Sequence, residues 1–421
     1  MDEAGDWIRH GAEMRRPLLA HSELKNHQRV TIVGGGLSGL CAAYRIADRF
    51  PDKQIILIEK SSRLGGVIET WQKDEWICDL AVNASRPHPS MWRLVEDLGL
   101  QEAWKPSSDK AKSRWILMNG VKHKLSPFSL LKIGPLSLRK AIKNSRKGGS
   151  SVSQVIPHRG IADAMTLGIV NDTSENVDAD FLFPGLTRFG RDAPMNKRKL
   201  RAKIDSTYPM FLPKKGSITS LDGGMGALVD ALQERLESMS NVEILLSTDV
   251  ESPSSLAETF EVPLSSIIWT APGLLKHQKT NWISIFAVGF HQNDVKDVPI
   301  GYGVLIPDDS IPFSGVLHES DVHHSKRTPA EHRLFRIMVP HGRWDMEDES
   351  IKQALSVYFG EAKPVIFENI GTRGIPQFKP GHMAHVADLA YDFTYLGWSV
   401  SGVAITHVVD EAERLVELME C

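Results

Sequence analysis

Apolar residues cluster along this chain in two alternating periods. Val30–Val33 and Gln54–Ile58 are short runs with the near-continuous hydrophobicity of strands buried on both faces, and the stretch between them, Leu40–Arg49, repeats apolar positions at helical spacing. Gly34, Gly36 and Gly39 join the first run to the helix. The pattern predicts strand, glycine turn, helix and parallel strand. From Trp71 to Leu100 a short strand pair precedes a helix, Met91–Leu98, closed by Gly99. Further on, Ser220-Leu221-Asp222-Gly223-Gly224-Met225 introduces a helix over Ala227–Met239, with Asp222 placed to help cap it. Val242–Leu246, then Val250, and Ile267–Ala271 return to the buried-strand pattern.

The pattern changes between Trp282 and Pro340. Ile283–Phe290, Gly303–Ile306, Gly315–His318 and Leu334–Val339 read as strands of an antiparallel sheet, a plausible platform for a substrate. The chain ends in a small-residue turn, Leu396–Ile405, and an amphipathic helix through Leu418. Such a turn presents backbone N–H groups to an anion or serves as a plain packing turn.

The length of 421 residues exceeds one core and predicts two or three domains. The expected fold class is α/β. A Rossmann-type nucleotide domain takes residues 29–90, 214–272 and 388–421; an antiparallel-sheet substrate domain takes 273–387; a helical, basic insertion takes 91–213. Net charge is −3, which argues against a chain-wide role with nucleic acid. Cys41, Cys78 and Cys421 are far apart without metal spacing and read as reduced thiols. No run reaches the length needed for a membrane-spanning helix. The first 28 residues carry Asp2, Glu3, Asp6, Glu13 and Glu23, unlike a transit peptide, and read as a loose extension.

Local charge is uneven. Between Lys110 and Lys147 stand eleven Lys and Arg and no acid, interleaved with Trp115, Phe128, Leu130, Leu131, Ile133 and Leu136. This composition suits either an anionic membrane surface or a solvated loop region. A second basic run covers Lys197, Arg198, Lys199, Arg201 and Lys203. His318, His323, His324 and His332 lack supporting ligand spacing, so solvated histidines and no metal are expected.

The opening unit carries the most specific chemistry. Its glycines divide three tasks: a tight turn, close backbone approach to a pyrophosphate, and close packing of helix on strand. Gly34, Gly35, Gly36, Leu37, Ser38 and Gly39 would cradle the phosphates at the helix start. Glu59 ends the second strand, at the spacing of a carboxylate that takes a ribose hydroxyl, and Lys60 follows it. Arg63, Gly65, Gly66 and Val67 then offer a second glycine pair and a guanidinium able to meet phosphates.

This continuation into R-x-G-G resembles the flavoproteins of the amine oxidase and desaturase superfamily, which implies FAD, bound non-covalently. The resemblance places Ala81, Val82, Asn83 and Ala84 beside the flavin, with Ala81 and Val82 where relatives have glycine and proline, and adds Val250, Trp398, Val403, Ala404 and Ile405 to the cofactor site.

A closer resemblance, to the oxygen-dependent protoporphyrinogen oxidases, rests on Arg114-Trp115-Ile116-Leu117, Leu221-Asp222-Gly223-Gly224-Met225, Gly301–Pro307, Gly374-Ile375-Pro376-Gln377-Phe378 with Gly381-His382, and Gly402-Val403-Ala404-Ile405. These pieces occur in the family's order. The resemblance implies that Arg114 meets a substrate propionate and that Tyr302, Leu305 and Met338 hold the tetrapyrrole. It implies oxidation of protoporphyrinogen IX to protoporphyrin IX by oxygen in heme synthesis, with no catalytic acid or base on the protein. It also implies a peripheral place on the mitochondrial inner membrane, with the cytoplasm as the alternative, and is compatible with a homodimer. Two other readings stand beside it: an amine oxidase or carotenoid-type desaturase, and a catalytically silent FAD- or porphyrin-binding relative.

Overall fold

The computed structural model describes residues 16–86, 88–118, 120–124, 134–188, 198, 202 and 218–421. In chain order its main elements are β1 (Arg29–Val33), α1 (Leu37–Arg49), β2 (Gln54–Ile58), β3 (Thr70–Lys73), β4 (Trp76–Asp79), α2 (Pro89–Asp97), β5 (Trp104–Pro106), β6 (Arg114–Met118), β7 (Val121–Lys124), α3 (Pro135–Lys147) and α4 (Arg159–Val170). They continue with β8 (Thr219–Leu221), α5 (Gly226–Glu237), β9 (Val242–Leu245), β10 (Ile267–Trp269), β11 (Thr280–His291), β12 (Gly303–Leu305), β13 (Gly315–Leu317), β14 (His332–Pro340), β15 (Ile366–Pro376), β16 (Thr394–Tyr395) and α6 (Ile405–Glu420).

The buried-strand runs assemble into a five-stranded parallel sheet in the order β16-β10-β1-β2-β9, with Val30 opposite Ile55 and Thr31 opposite Ile267. Parallel strands need helical crossovers, and α1, α5 and α6 supply the cover. Leu40, Ile46, Leu228, Leu232, Val409 and Leu415 bury their apolar stripes in one core with Val30 and Ile32. Arg45 of α1 is buried in that layer and bridges Asp97 of α2 to Glu413 of α6, so the three helices are pinned by charge as well as by packing.

The second sheet has seven strands in the order β15-β11-β14-β13-β12-β6-β7. It is antiparallel except where β12 runs parallel to β6, Gly303 facing Arg114. Thus β6 and β7, from the stretch read as a helical insertion, complete the edge of this sheet. Side-chain alternation gives it two distinct faces. The outer face carries Phe286, Val288, Phe290, Phe335, Ile337 and Val339 and packs on Ile351, Leu355, Tyr358 and Phe359. The inner face carries Ile283, Ile285, Met338 and Ile375 and meets Val152, Ala162, Val170 and Leu80. Asn281 reaches from β11 to the carbonyls of Val170 and Asn171, which fixes the end of α4 above this inner face.

Three expectations are corrected. The extension before β1 is docked from Arg16 onward: Leu19 pairs with Tyr395, the His21 N–H donates to Thr394 Oγ1, and Leu24 is fully buried. Asp222 does not cap α5. Its place is taken by Asp79, whose Oδ1 accepts the Met225 N–H at 2.8 Å, and by Thr70 Oγ1, which accepts the Gly226 N–H at 2.9 Å. A carboxylate from a distant strand is stationed there because Gly224, at φ +111°, brings the chain against Thr70. His318 and His323 are buried rather than solvated: His318 Nε2 lies 3.0 Å from the Tyr358 hydroxyl, and His323 lies between Ser220 and Glu319.

Of the basic stretch, α3 is described and residues 125–133 lie outside the described set, as do Lys197, Lys199, Arg201 and Lys203. On α3 only Ala141 is buried, while Leu136, Leu138 and Ile142 are exposed among Arg139, Lys140, Lys143, Arg146 and Lys147. No helix among the described residues is long and apolar enough to cross a membrane.

Candidate active site

The glycine turn behaves as a set of separate devices. Gly34 has φ +104°, its N–H donates to Ile58 O at 2.8 Å, and a Cβ there would strike Thr270 Oγ1. This is the turn glycine. At Gly39 a Cβ would sit 1.9 Å from Gly34 O, so only glycine lets α1 pack that close to the turn. At Gly35 a Cβ would meet Leu64 and Glu59. Gly36 differs: its φ is −71°, which suits any residue, and a Cβ would meet no protein atom within 4 Å. Its glycine therefore answers to something other than the protein's own packing.

The second glycine pair closes on the first. Gly65 N–H donates to Gly35 O at 2.7 Å, and Gly65 and Gly36 form a parallel bridge. Arg63 directs its donors to the carbonyls of Leu64 and Gly66 and to Glu69, so it shapes this turn, with Val67 just beyond it. Glu59 accepts the Gly35 N–H at 2.7 Å and the Ser61 N–H at 2.8 Å, which presents its carboxylate beside the glycines; exposed Lys60 follows. The Thr248 N–H donates to Glu59 O and carries the chain to Val250 at the same strand end.

The C-terminal turn arrives next to this cradle. Gly397 lies against Ser38 and Thr270 O, and Trp398, Val403, Ala404 and Ile405 follow into α6, whose N-terminus has no side-chain cap. The N-terminus of α1, with Leu37 and Ser38, also lacks one. Two uncapped N-termini of long helices at one place suit the phosphates of an extended cofactor. On the other side, Ala81, Val82, Asn83 and Ala84 form a strap whose Asn83 Nδ2 is buried without a partner among the described residues, a donor available to a ring carbonyl. Glu411 underpins the Gly397 turn by accepting its N–H at 2.8 Å. Burial pushes the Glu411 carboxyl up to about 8, against the opposing effect of that hydrogen bond and of Arg414.

The residues to which the resemblance assigns a substrate lie in two pairs on or beside the second sheet. The Arg114 guanidinium stacks 4.5 Å over the Tyr302 ring. Leu305 and Met338 flank Gly315, where a Cβ would meet Met338 Cε at 3.0 Å and Leu305 Cδ2 at 3.4 Å. Gly168 of α4 approaches Leu305 from above. The result is an apolar floor with a cation at one edge, facing the strap.

Sequence reasoning missed what joins the halves. Asp79 is fully buried, pairs with Arg327 at 3.2 Å, and offers its backbone carbonyl to Arg336 at 2.7 Å. Arg336 also lies 3.9 Å from Glu319, whose other oxygen meets His323 at 3.1 Å. Asp79, Glu319 and His323 bring three potential ligand atoms within 4.8 Å of one another, and Arg327 and Arg336 already balance their charge. The available signal was an acid at the end of β4 and two inward-facing arginines on or near β14. Their pairing depends on chain segments about 250 residues apart.

The fold and cradle are those of an FAD-dependent oxidoreductase, with FAD as the cofactor. The family profile for NAD(P)-binding Rossmann-like domains matches residues 32–98. The chain is similar, at 23% identity over 94% of its length and 98% of the relative's, to coproporphyrinogen III oxidase of Bacillus subtilis (strain 168). It is also 23% identical to the chloroplastic protoporphyrinogen oxidase 1 of Spinacia oleracea, over 92% of this chain and 84% of that one. A solved candidate protoporphyrinogen oxidase from Exiguobacterium sp. 255-15 has the same fold, with TM-score 0.67 and 17% identity over 92% of this chain and 98% of that one. The resemblance to porphyrinogen oxidases thus spans nearly the whole chain.

Two outcomes follow. Gly36→Val is expected to fold normally yet to purify without flavin, because its side chain fits the protein but fills the pyrophosphate approach. Circular dichroism and the flavin absorbance after gel filtration check this, and retained flavin would remove the site. Glu411→Gln keeps the acceptor for Gly397 and removes the ionisation. A carboxyl raised from its unfolded value of about 4.3 gives its full stability below that pH and loses about 1.4 kcal/mol per pH unit as pH rises toward 8. The variant should therefore melt higher than the parent at pH 8, with the gap shrinking toward pH 5. A gap independent of pH would show that Glu411 does not titrate in this way.

Proposed function

We propose that the protein oxidises a porphyrinogen to its porphyrin, with protoporphyrinogen IX the substrate named by the sequence motifs and oxygen the acceptor. The observation that carries this reading is the inner sheet face: Leu305 and Met338 side by side across Gly315, bordered by Arg114 on Tyr302 and facing the strap. A flat apolar macrocycle needs such a floor, and its carboxylates need a fixed guanidinium. FAD, held by the glycine cradle, would supply the hydride acceptor for this oxidation, with oxygen as the terminal acceptor. The chain's own part is to hold the macrocycle against the strap, exclude water from the apolar floor and anchor the carboxylate. Relatives with this activity in their names cover almost the full chain, which supports the reading.

Anaerobic mixing of the flavin-loaded protein with protoporphyrinogen IX should bleach the flavin absorbance. No bleaching with any porphyrinogen, together with bleaching by amines, would replace this reading by an amine oxidase. Arg114→Ala should raise KM with little change in kcat, since a remote carboxylate contact is equal in ground and transition states. The loss in kcat/KM should be roughly tenfold to hundredfold. Unchanged kinetics would take Arg114 out of the site.

The face of α3 suits the proposal of a peripheral contact with anionic lipid, its exposed Leu136, Leu138 and Ile142 lying among five cations. Sedimentation with phosphatidylserine liposomes should be strong at low salt and weaken as salt rises. A protein that stays in the supernatant at low salt lacks this contact.

A further inference from the structure

Arg373 lies on β15 between Gly371 and Ile375, and strand alternation gives all three the same face. Contacts identify which face. Ile375 packs with Ile283 and Ile285, and a Cβ at Gly371 would meet Leu80 at 2.9 Å, so this is the inner face, turned to the strap. The register agrees: Ile285 pairs with both Met338 and Gly371, and Ile283, one inward position along, pairs with Arg373. Arg373 therefore borders the same floor as Met338.

Its guanidinium makes no hydrogen bond or ion pair with any described residue, and its Nε is buried. The buried arginines on this sheet are compensated, Arg333 by Asp321 and Arg336 by Glu319 and the carbonyls of Asp79 and Ala81. Burial, with Arg336 nearby, pulls the Arg373 pKa down to about 9, which leaves it charged at neutral pH. Arg373 as a whole is half-buried, but a guanidinium whose Nε is shielded from water and that has no counter-charge among the described residues is held at a cost, which a ligand that supplies an anion removes. The cofactor's phosphates belong at the N-termini of α1 and α6, on the other sheet.

Arg114 is on β6 and Arg373 on β15, at opposite sides of the floor made by Leu305 and Met338. Five strand spacings of about 4.8 Å and a stagger of four residues at about 3.3 Å each separate their backbones, on the order of 27 Å, and both residues belong to the inner face by strand parity. We propose that Arg373 is a second carboxylate anchor, which holds a propionate on the side of the macrocycle away from Arg114 and selects for a porphyrinogen that carries carboxylates on opposite sides. This rests on the porphyrinogen reading above. Protoporphyrinogen IX has its propionates on adjacent rings and satisfies one arginine. Coproporphyrinogen III has a propionate on every ring and satisfies both.

Arg373→Met and Arg373→Lys should be compared with the parent on both porphyrinogens, and in fluorescence titrations with coproporphyrin III and protoporphyrin IX. The expected result for Arg373→Met is a loss of roughly tenfold to hundredfold in kcat/KM for coproporphyrinogen III, lying in KM, with a change within about threefold for protoporphyrinogen IX. Coproporphyrin III affinity should fall in parallel, and Arg373→Lys should recover part of both. An equal loss on the two substrates, or none on either, overturns the assignment. So does loss of the flavin from Arg373→Met, which would make Arg373 a cofactor residue. A parent enzyme that oxidises and binds neither porphyrinogen fails at the earlier reading, and that result is seen before any variant is made.

Discussion

The buried carboxylate of Asp79 is the constraint on which the two halves depend. It ends β4, takes the hydroxyl of Thr70, caps α5 through Met225 N–H, and neutralises Arg327, while its backbone carbonyl receives Arg336 from the second sheet. A buried pair of this kind adds little net stability, since desolvation offsets much of the attraction, but removing one partner typically costs about 3–5 kcal/mol. Its consequence is geometric. The strap that starts at Leu80 is held against the inner face of the sheet, where Arg336 also binds the Ala81 carbonyl. The spacing between strap and sheet is thus set by buried charges.

The second sheet then separates two tasks by side-chain parity. Its outer face is filled by aromatic residues, Phe286, Phe290 and Phe335 with Phe359, and is closed by packing. Its inner face is thinner, with glycines at 303, 315 and 371 that let neighbouring chains approach. Stability is concentrated on the face that does no chemistry. The inner face carries Arg336 and Arg373 beside its apolar side chains, with Arg336 joined to the polar cluster around Glu319.

Docking of the N-terminal segment adds a third layer. Arg16 lies over the Phe181 ring and donates to Phe181 O, and a Cβ at Gly402 would meet its guanidinium, so the segment closes over the C-terminal turn. The pairing of Leu19 with Tyr395 extends the edge of the parallel sheet. The C-terminal turn is thereby held by Arg16 at Gly402 as well as by Glu411 at Gly397.

The amino-acid sequence by itself determined the elements whose signals are local. The unbroken apolar runs Val30–Val33 and Gln54–Ile58 had to be buried parallel strands, and the roles of Gly34 and Gly39 followed from their places in the turn. The alternation from Ile283 to Val339 likewise dictated an antiparallel sheet. The motif order names Arg114, Tyr302, Leu305 and Met338 together as what the resemblance implies; Arg114, Leu305 and Met338 lie on strands of one sheet, and Tyr302 directly precedes β12. Tertiary structure alone decided the pairings made by electrostatics across long chain separations. Asp79 rather than Asp222 caps α5, His318 and His323 are buried, and the residues before β1 are docked, because each depends on partners supplied by other segments. Arg373 shows the limit most clearly: its inward parity with Ile375 is written in the strand, but its lack of an ion-pair partner among the described residues is a property of the folded surroundings. Periodicity encodes which way a side chain points, and only the packed molecule fixes what it meets there.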